Sequence, residues 1–293
     1  MEYTDEQLKH LRRLELDLYH RLAAICEKHN LTFVTGFGTT LGAIRHKGFV
    51  PWDDDMDFLM PRKDFEVLVK VAPKELEERY QLLEPRLTKG YTMNFAKLIR
   101  SDSTFIEPED VHVKYHNGIF IDIFPMDYWP KDADRRNKVC FRCYVLARLE
   151  ALATYSRPKL PKNMKPMKRV LARVGCACVS GTLKLFRITT VKLYKKYLKW
   201  ATCTSPEEAD NYVTDMCWCW MKKDRTMFGL QYKDKDLFTQ LYVPFEDDKV
   251  PVPEKYDSYL TTAYRDYMKL PPLEKRHSHV PVVLEFPEDD YLD

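Results

Sequence analysis

The chain of 293 residues contains no apolar run of 18 residues, so no segment is expected to cross a bilayer as a helix. Its opening, Met1-Glu2-Tyr3-Thr4-Asp5-Glu6, is acidic and polar, which does not fit a secretory leader. Cysteine is too sparse for a disulfide scaffold: eight thiols are spread over the whole length. A reducing cytoplasm is the compartment these features predict. Acid is missing locally as well. No aspartate or glutamate occurs between Ala151 and Pro206, while lysine and arginine recur from Arg157 to Lys199.

The hydrophobic content of 45% and charged content of 31% are those of a globular protein with one large core, or one core with a helical annex. The net charge of +3 is too small to point to a partner by itself. Leu8, Leu11, Leu18, Leu22 and Ile25 recur at helical steps, which predicts an amphipathic helix over 5–29 capped by Thr4. Leu31-Thr32-Phe33-Val34 reads as a strand. Residues 62–71 read as a helix interrupted at Pro73, 80–84 and 94–100 as strands, and 132–155 as a helix. About 167–200 reads as one or two basic amphipathic helices. Cys140-Phe-Arg-Cys143 lies in a helical pattern, and the Cys-x-Cys pairs at 176–178 and 217–219 lack zinc-ribbon spacing, so buried free thiols are expected.

Two stretches carry chemistry. The first is 36–61. Gly36, Gly38 and Gly42 allow close backbone approach, and Thr39 and Thr40 open a short helix whose free N–H groups suit an anion. Pro51 and Trp52 end it, and Asp53-Asp54-Asp55-Met56-Asp57-Phe58-Leu59-Met60 follows as a strand. Alternation puts Asp55 and Asp57 on one face. Two neighbouring carboxylates in an apolar strand need a cation or a shared proton, and Mg²⁺ with substrate phosphate is the natural oxygen-bound choice. The second stretch is Ile119-Phe-Ile-Asp122-Ile-Phe-Pro125-Met-Asp127, an apolar strand ending at Pro125. Asp122 reads as a third oxygen ligand, and Asp127 as a weaker candidate in a loop.

The run from Gly38 to Asp57 resembles the signature of the LicD family, phosphotransferases related to bacterial phosphocholine transferases and, distantly, to fukutin and the fukutin-related protein. The Gly118-to-Pro125 stretch resembles that family too, as does the segment from Val250 to Leu260. The family often has glycine where Arg265 and Asp247 stand here. The resemblance implies an α+β fold: a nucleotidyltransferase-like mixed sheet flanked by helices, here with a basic helical annex. Together with the acid-free composition of 151–206, it divides the chain into a catalytic core over 1–150, a basic helical insertion or annex over 151–206, and a segment completing the domain over 207–293.

The implied reaction moves a phospho-substituent, phosphocholine-like, from a CDP-linked donor to a hydroxyl of a glycan precursor and releases CMP. Lipopolysaccharide or teichoic acid would be the modified glycan. The expected ligands of Mg²⁺, with Mn²⁺ as the alternative, are Asp55, Asp57 and Asp122, which also form the catalytic set. Gly38, Thr39 and Thr40 would receive phosphate oxygens, with Arg45, His46 and Lys47 neutralising them. Trp52 would stack on a base or enclose a choline head, against a plain packing role. Lys97 is a phosphate contact or a solvated edge lysine.

The basic stretch 157–200 fits a solvated annex, a groove for an anionic substrate, or peripheral contact with the inner face of an anionic membrane, where a lipid-linked acceptor would lie. It carries no nucleic-acid motif, so no nucleic acid is expected. The alternatives to phosphotransfer are transfer of the nucleotide itself and a non-catalytic nucleotide- or glycan-binding protein.

Overall fold

A computed structural model describes residues 3–108, 110–154, 164–218, 220–221, 227–276, 278 and 280–288. The first helix, α1 (Asp5–His29), starts where the sequence places it. Thr4 accepts from the Gln7 N–H while the Gln7 side chain accepts from the Thr4 N–H, a reciprocal capping box. Leu11, Leu14, Leu18 and Leu22 are buried, and the helix ends at Asn30 with a left-handed φ of 52°.

The fold is α+β, built on a mixed sheet of seven strands among the described residues. Strands β1 (Val34–Thr35), β2 (Asp57–Pro61), β3 (Tyr80–Leu83), β4 (Ala96–Arg100), β5 (Thr104–Ile106) and β6 (Phe120–Tyr128) are interleaved with α2 (Phe37–His46) and α3 (Arg62–Glu75). The order across the sheet is β1-β2-β6-β4-β3, with β2 and β6 parallel and the other pairs antiparallel. One face packs under α1 and α3. Met56, Phe58, Ile121 and Ile123 fill it, and the Tyr19 ring stacks on Phe58 at 5.6 Å. The opposite face carries Asp57 and Asp122.

Three boundaries differ from expectation. Helix α2 begins at Phe37, ahead of the threonines, because Gly36 caps it with backbone alone and leaves no polar side-chain signal. Helix α3 runs through Pro73 to Glu75, since a proline in the last turn removes only one bond before the end. Strand β6 runs through Pro125 to Tyr128, which puts Asp127 in the sheet rather than in a loop. The N–H of Asp122 points to β2, where it donates to Met56 O at 2.9 Å, so by alternation the Pro125 nitrogen points the other way. On that side β4 partners β6 only as far as Ile123, and β7 (Tyr212–Asp215) takes over at Met126. The missing N–H falls in the gap between them.

Helix α4 (Ala133–Thr154) packs on α6 (Thr190–Ala201), and α5 (Pro166–Leu185) leans on α4. The buried side of α4 is Val139, Cys140, Cys143 and Glu150, while Tyr144, Val145 and Leu149 are half-buried. Every described cysteine is a free thiol.

Beyond β7 lie the short pair β8 (Trp220–Met221) and β9 (Met227–Phe228), then β10 (Tyr232–Lys233), which pairs with β7. After α7 (Asp234–Phe238) come the hairpin β11 (Gln240–Phe245) and β12 (Asp248–Pro253), α8 (Tyr256–Tyr264), and β13 (Val283–Glu285), which pairs with β5. No single helix among the described residues is long and apolar enough to cross a membrane.

Candidate active site

Three adjacent strands place one row of charged side chains on the open face of the sheet. Asp57 of β2 is the register partner of Asp122 of β6, and Asp122 is the partner of Lys97 of β4. Asp55 comes from the segment just before β2, not from the strand itself. Asp57, Asp122 and Lys97 are all buried. Lys97 Nζ lies 3.1 Å from Asp122 Oδ1 and 3.1 Å from the Phe120 ring centroid, and Glu107 is 3.9 Å away. Lys97 is thus neither solvated nor at an edge: it is the built-in counter-ion of Asp122.

Charge crowding appears in the proton affinities. Burial pushes the Asp57 carboxyl well above the usual carboxylate range, and the charges of Asp55 and Asp122 add to the shift. Burial raises Asp122 to about 6, with Lys97 opposing the shift. Cation binding would relieve this crowding, and an all-oxygen donor set fits Mg²⁺. No group of three Asp, Glu, His or Cys side chains among the described residues is itself arranged to hold a metal ion. The fit is therefore to an ion held by one or two carboxylates and completed by substrate phosphate, the usual situation for Mg²⁺.

Two cavities share Phe37, Asp55 and Asp57. The first, about 470 Å³, is bordered by Gly38, Arg45, Trp52, Tyr264, Tyr267 and Lys269. A Cβ on residue 38 would run into the Asp53 carboxylate, so a larger residue there would displace that side chain where the acid loop crosses the first turn of α2. The second, about 620 Å³, is walled by Phe95, Phe105, Phe120 and Phe124, with Lys97, Glu107, Asp110 and Asp122 among them. Phe37, at the junction, has a φ of 36°, an uncommon value for a non-glycine residue, and donates its N–H to Tyr259 Oη at 2.8 Å.

The other predicted contacts divide. Thr39 and Thr40 are buried: Thr39 Oγ1 accepts from the Asp57 N–H at 2.8 Å, and Thr40 Oγ1 bonds Thr35 Oγ1 at 2.9 Å. Thr39 thereby braces β2, and Thr40 braces β1, against α2. Arg45 borders the first cavity and donates to Tyr267 O at 2.7 Å and to His46 Nε2 at 2.9 Å. His46 lies behind it, and burial with the Arg45 charge lowers its pKa. Lys47 is exposed, and its backbone, at φ 59°, caps α2. Trp52 has the Arg276 guanidinium 4.7 Å and the Arg45 guanidinium 6.0 Å from its ring centroid. Those two cations already occupy its π-system, so Trp52 is poorly placed to enclose a choline head.

Residues distant in the chain complete the site. Arg12 of α1 donates to the carbonyls of Val50, Pro51 and Asp53 at 2.8–3.1 Å, fixing the acid loop. Tyr3 Oη donates to Asp54 Oδ2 at 2.7 Å. The leucine periodicity of α1 speaks only for its buried face, and no local signal marks Arg12 as the clamp.

Residues 30–146 match the family model described as LicD/FKTN/FKRP, nucleotidyltransferase domain. That span contains Asp55, Asp57, Lys97 and Asp122; Tyr264, Lys269 and Arg276 lie outside it. The chain is 27% identical to the lipopolysaccharide cholinephosphotransferase LicD of Haemophilus influenzae over 268 residues, which is 90% of this chain and 91% of that one. It is 28% identical to an uncharacterised protein of Rickettsia prowazekii over 135 residues, 44% of this chain and 47% of that one.

Proposed function

We infer, for a chain that belongs to the LicD family and is a LicD-type transferase, that it moves a phosphocholine-like group from a CDP-linked donor to a hydroxyl of a glycan such as lipopolysaccharide. The observation that carries this reading is the pair of unlike cavities meeting at Asp55 and Asp57. A donor of this kind has two unlike ends joined by a diphosphate, and the bond to be broken lies between them.

The first cavity suits the nucleotide end. Arg45 and Lys269 supply positive charge, and the Trp52–Arg276 pair offers a flat surface to a base. The second suits a quaternary ammonium: Phe105 and Phe124 add aromatic wall beside Phe120 and Phe95, over which the Lys97 ammonium already lies, and Glu107 and Asp110 add negative charge. Asp55 and Asp57 would hold Mg²⁺ at the junction, with Asp122 beside them. When bound, the ion would offset charge on the diphosphate oxygens.

Asp122 accepts the proton of the attacking hydroxyl, its raised affinity matching that task. Lys97 holds Asp122 in place, and its ammonium keeps its charge while the carboxylate beside it is neutralised by the incoming proton. The acceptor oxygen bonds to the phosphorus carrying the head group, the bond from that phosphorus to the CMP oxygen breaks, and CMP departs. The Gly38 turn, Arg45 and the fixed acid loop orient the donor throughout.

The test is incubation with a panel of CDP-linked donors, Mg²⁺ and candidate glycans, scoring CMP and the modified sugar. CMP with a phospho-substituted acceptor is the expected product pair. A nucleotide attached to the acceptor would replace this reading with nucleotidyl transfer.

A further inference from the structure

Helix α5 is held to the rest of the molecule along one line. Arg169, Ala172, Cys176, Ser180 and Leu183 follow at steps of three and four, and these are its buried or half-buried positions, turned toward α4. On the opposite line lie Met167, Val170, Leu171, Val174, Cys178 and Leu185. The five large apolar ones among them are 56–78% exposed. Such a stripe on the surface of a globular chain marks an interaction site rather than chance exposure.

The cations frame this stripe. Lys168 falls on one shoulder of the helix, and Arg173 and Lys184 fall on the other, between the apolar line and the docked line. Phe186, 68% exposed, continues the stripe past the helix end. The chain then bends by 100° into α6, whose outer face shows Lys192, Lys195, Lys196 and Lys199. No acid occurs in either helix or between them.

We propose that α5 lies in the interface of an anionic lipid bilayer, with its apolar stripe among the acyl chains and its shoulder cations, together with the α6 lysines, on lipid phosphates. Lysine and arginine stems reach up from the sides of a half-sunk helix to the headgroup level, and the shoulder positions of Lys168, Arg173 and Lys184 suit that arrangement. A nucleic acid would satisfy the cations but leave the apolar stripe in water. A second copy of this chain would set two cationic frames against each other. The chemistry is complementary only to a surface that is oily within and negative at its rim. This inference is independent of the donor and acceptor named above.

The experiment is flotation of the full-length protein with phosphatidylcholine vesicles, and with vesicles in which a third of the lipid is phosphatidylglycerol. Association with the anionic vesicles, at least about 10-fold stronger than with the neutral ones and weakened by salt, is expected. Val170→Glu/Val174→Glu removes that association by about 10-fold or more, while Lys195→Ala/Lys196→Ala reduces it less. Both changes lie on exposed side chains, and circular dichroism and thermal melting verify that the fold is kept. Absence of the parent from the floated fraction on both vesicles overturns the proposal, as does undiminished flotation of the Glu variant. A concentration-dependent dimer abolished by Val170→Glu/Val174→Glu, without vesicle binding, would assign the stripe to a second copy instead. No substrate is needed, so this result and the fate of the transfer reaction are separable.

Discussion

Strand β6 carries two buried aspartates, Asp122 and Asp127, that face opposite sides of the sheet because their positions differ by an odd number. Each is matched to one cation, and the two matches are unlike. Asp127 receives two parallel bonds from the Arg62 guanidinium, at 2.8 and 2.7 Å, in a place where its own side chain is 1% exposed. Asp122 faces a compact ammonium, Lys97 Nζ, at the wall of an open cavity. A planar fork sealed under helices is fixed in place. A point charge on a flexible stem, beside space for a ligand, can yield its partner to another cation or follow a proton. On the proposed reading, a lone acid within an apolar strand marks function on one face of this sheet and cohesion on the other, and only the cation type and the cavity tell them apart.

The comparison breaks if the two faces respond alike to substitution. Asp57→Asn, on the cavity face, should lower turnover by about 10³-fold, the order seen when a preorganised electrostatic group is lost. Its melting temperature should stay level or rise, since a crowded buried charge is removed. Turnover within 10-fold of the parent would take the chemistry off this face. Arg62→Met is the mirror experiment. It strands Asp127 without its cation and should cost about 3–5 kcal/mol in denaturant unfolding. The fraction that remains folded should keep parental turnover. A loss below about 1 kcal/mol would mean that the fork is not what holds this side together.

Glu150 sharpens the comparison as a third buried acid. It sits on α4 at 0% exposed, and both its oxygens lack a hydrogen-bond partner among the described residues. Burial, with the Glu84 charge adding to it, raises its pKa from 4.5 to about 8. The folded chain thus holds a proton there that the unfolded chain releases above pH 4.5. Between those two values stability falls as pH rises, because the native state binds more protons than the unfolded one. Glu150→Gln removes the dependence. The variant should gain on the parent by about 2 kcal/mol between pH 5 and pH 8, a figure below the full linkage slope of about 1.4 kcal/mol per unit. Parallel melting curves for the two proteins across that range would refute it.

How much of this was legible in the sequence depends on distance along the chain. Asp55, Asp57 and Asp122 stood out because acid inside Met-Asp-Phe-Leu and Phe-Ile-Asp-Ile is costly to bury, and that cost is local. The apolar runs gave individual strands, and the mixed sheet was what the family resemblance implied. Thr39 and Thr40 misled because helix α2 starts earlier than its polar residues suggest, which puts their hydroxyls inside, bonded to Asp57 and Thr35. The cavity walls from Tyr264 to Lys269 meet Gly38 and Arg45 across more than half the chain, and no periodicity encodes such a meeting. Arg265 is instructive. It stands where the resembled family often has glycine, and it holds a φ of 62° and ψ of −110°, a conformation that favours glycine. The departure seen in the sequence is a strained turn in the structure.

The finest discrimination between the two aspartates is their response to pH. Burial raises Asp122 to about 6 even though the Lys97 charge and hydrogen bond pull the other way. In Lys97→Met that opposition vanishes, so the pKa climbs further above the ordinary carboxylate value. The acidic form then persists to higher pH, and a reaction needing the carboxylate loses rate earlier as pH falls. The acid limb of kcat/KM should therefore move upward by about one unit, which is tenfold in rate at a pH below both limbs. Lys97→Arg keeps the charge and should leave the limb near its parental position. A guanidinium is longer and planar, so stacked on the Phe120 ring it meets Asp122 with a different reach than the ammonium, and a lower kcat with an unmoved limb is the expected pattern for that variant. If both variants lose rate equally at every pH, Lys97 acts by filling space beside Phe120 and not by setting the proton affinity of Asp122, and the distinction between an exchangeable cation on one face and a fixed one on the other would rest on the cavity alone.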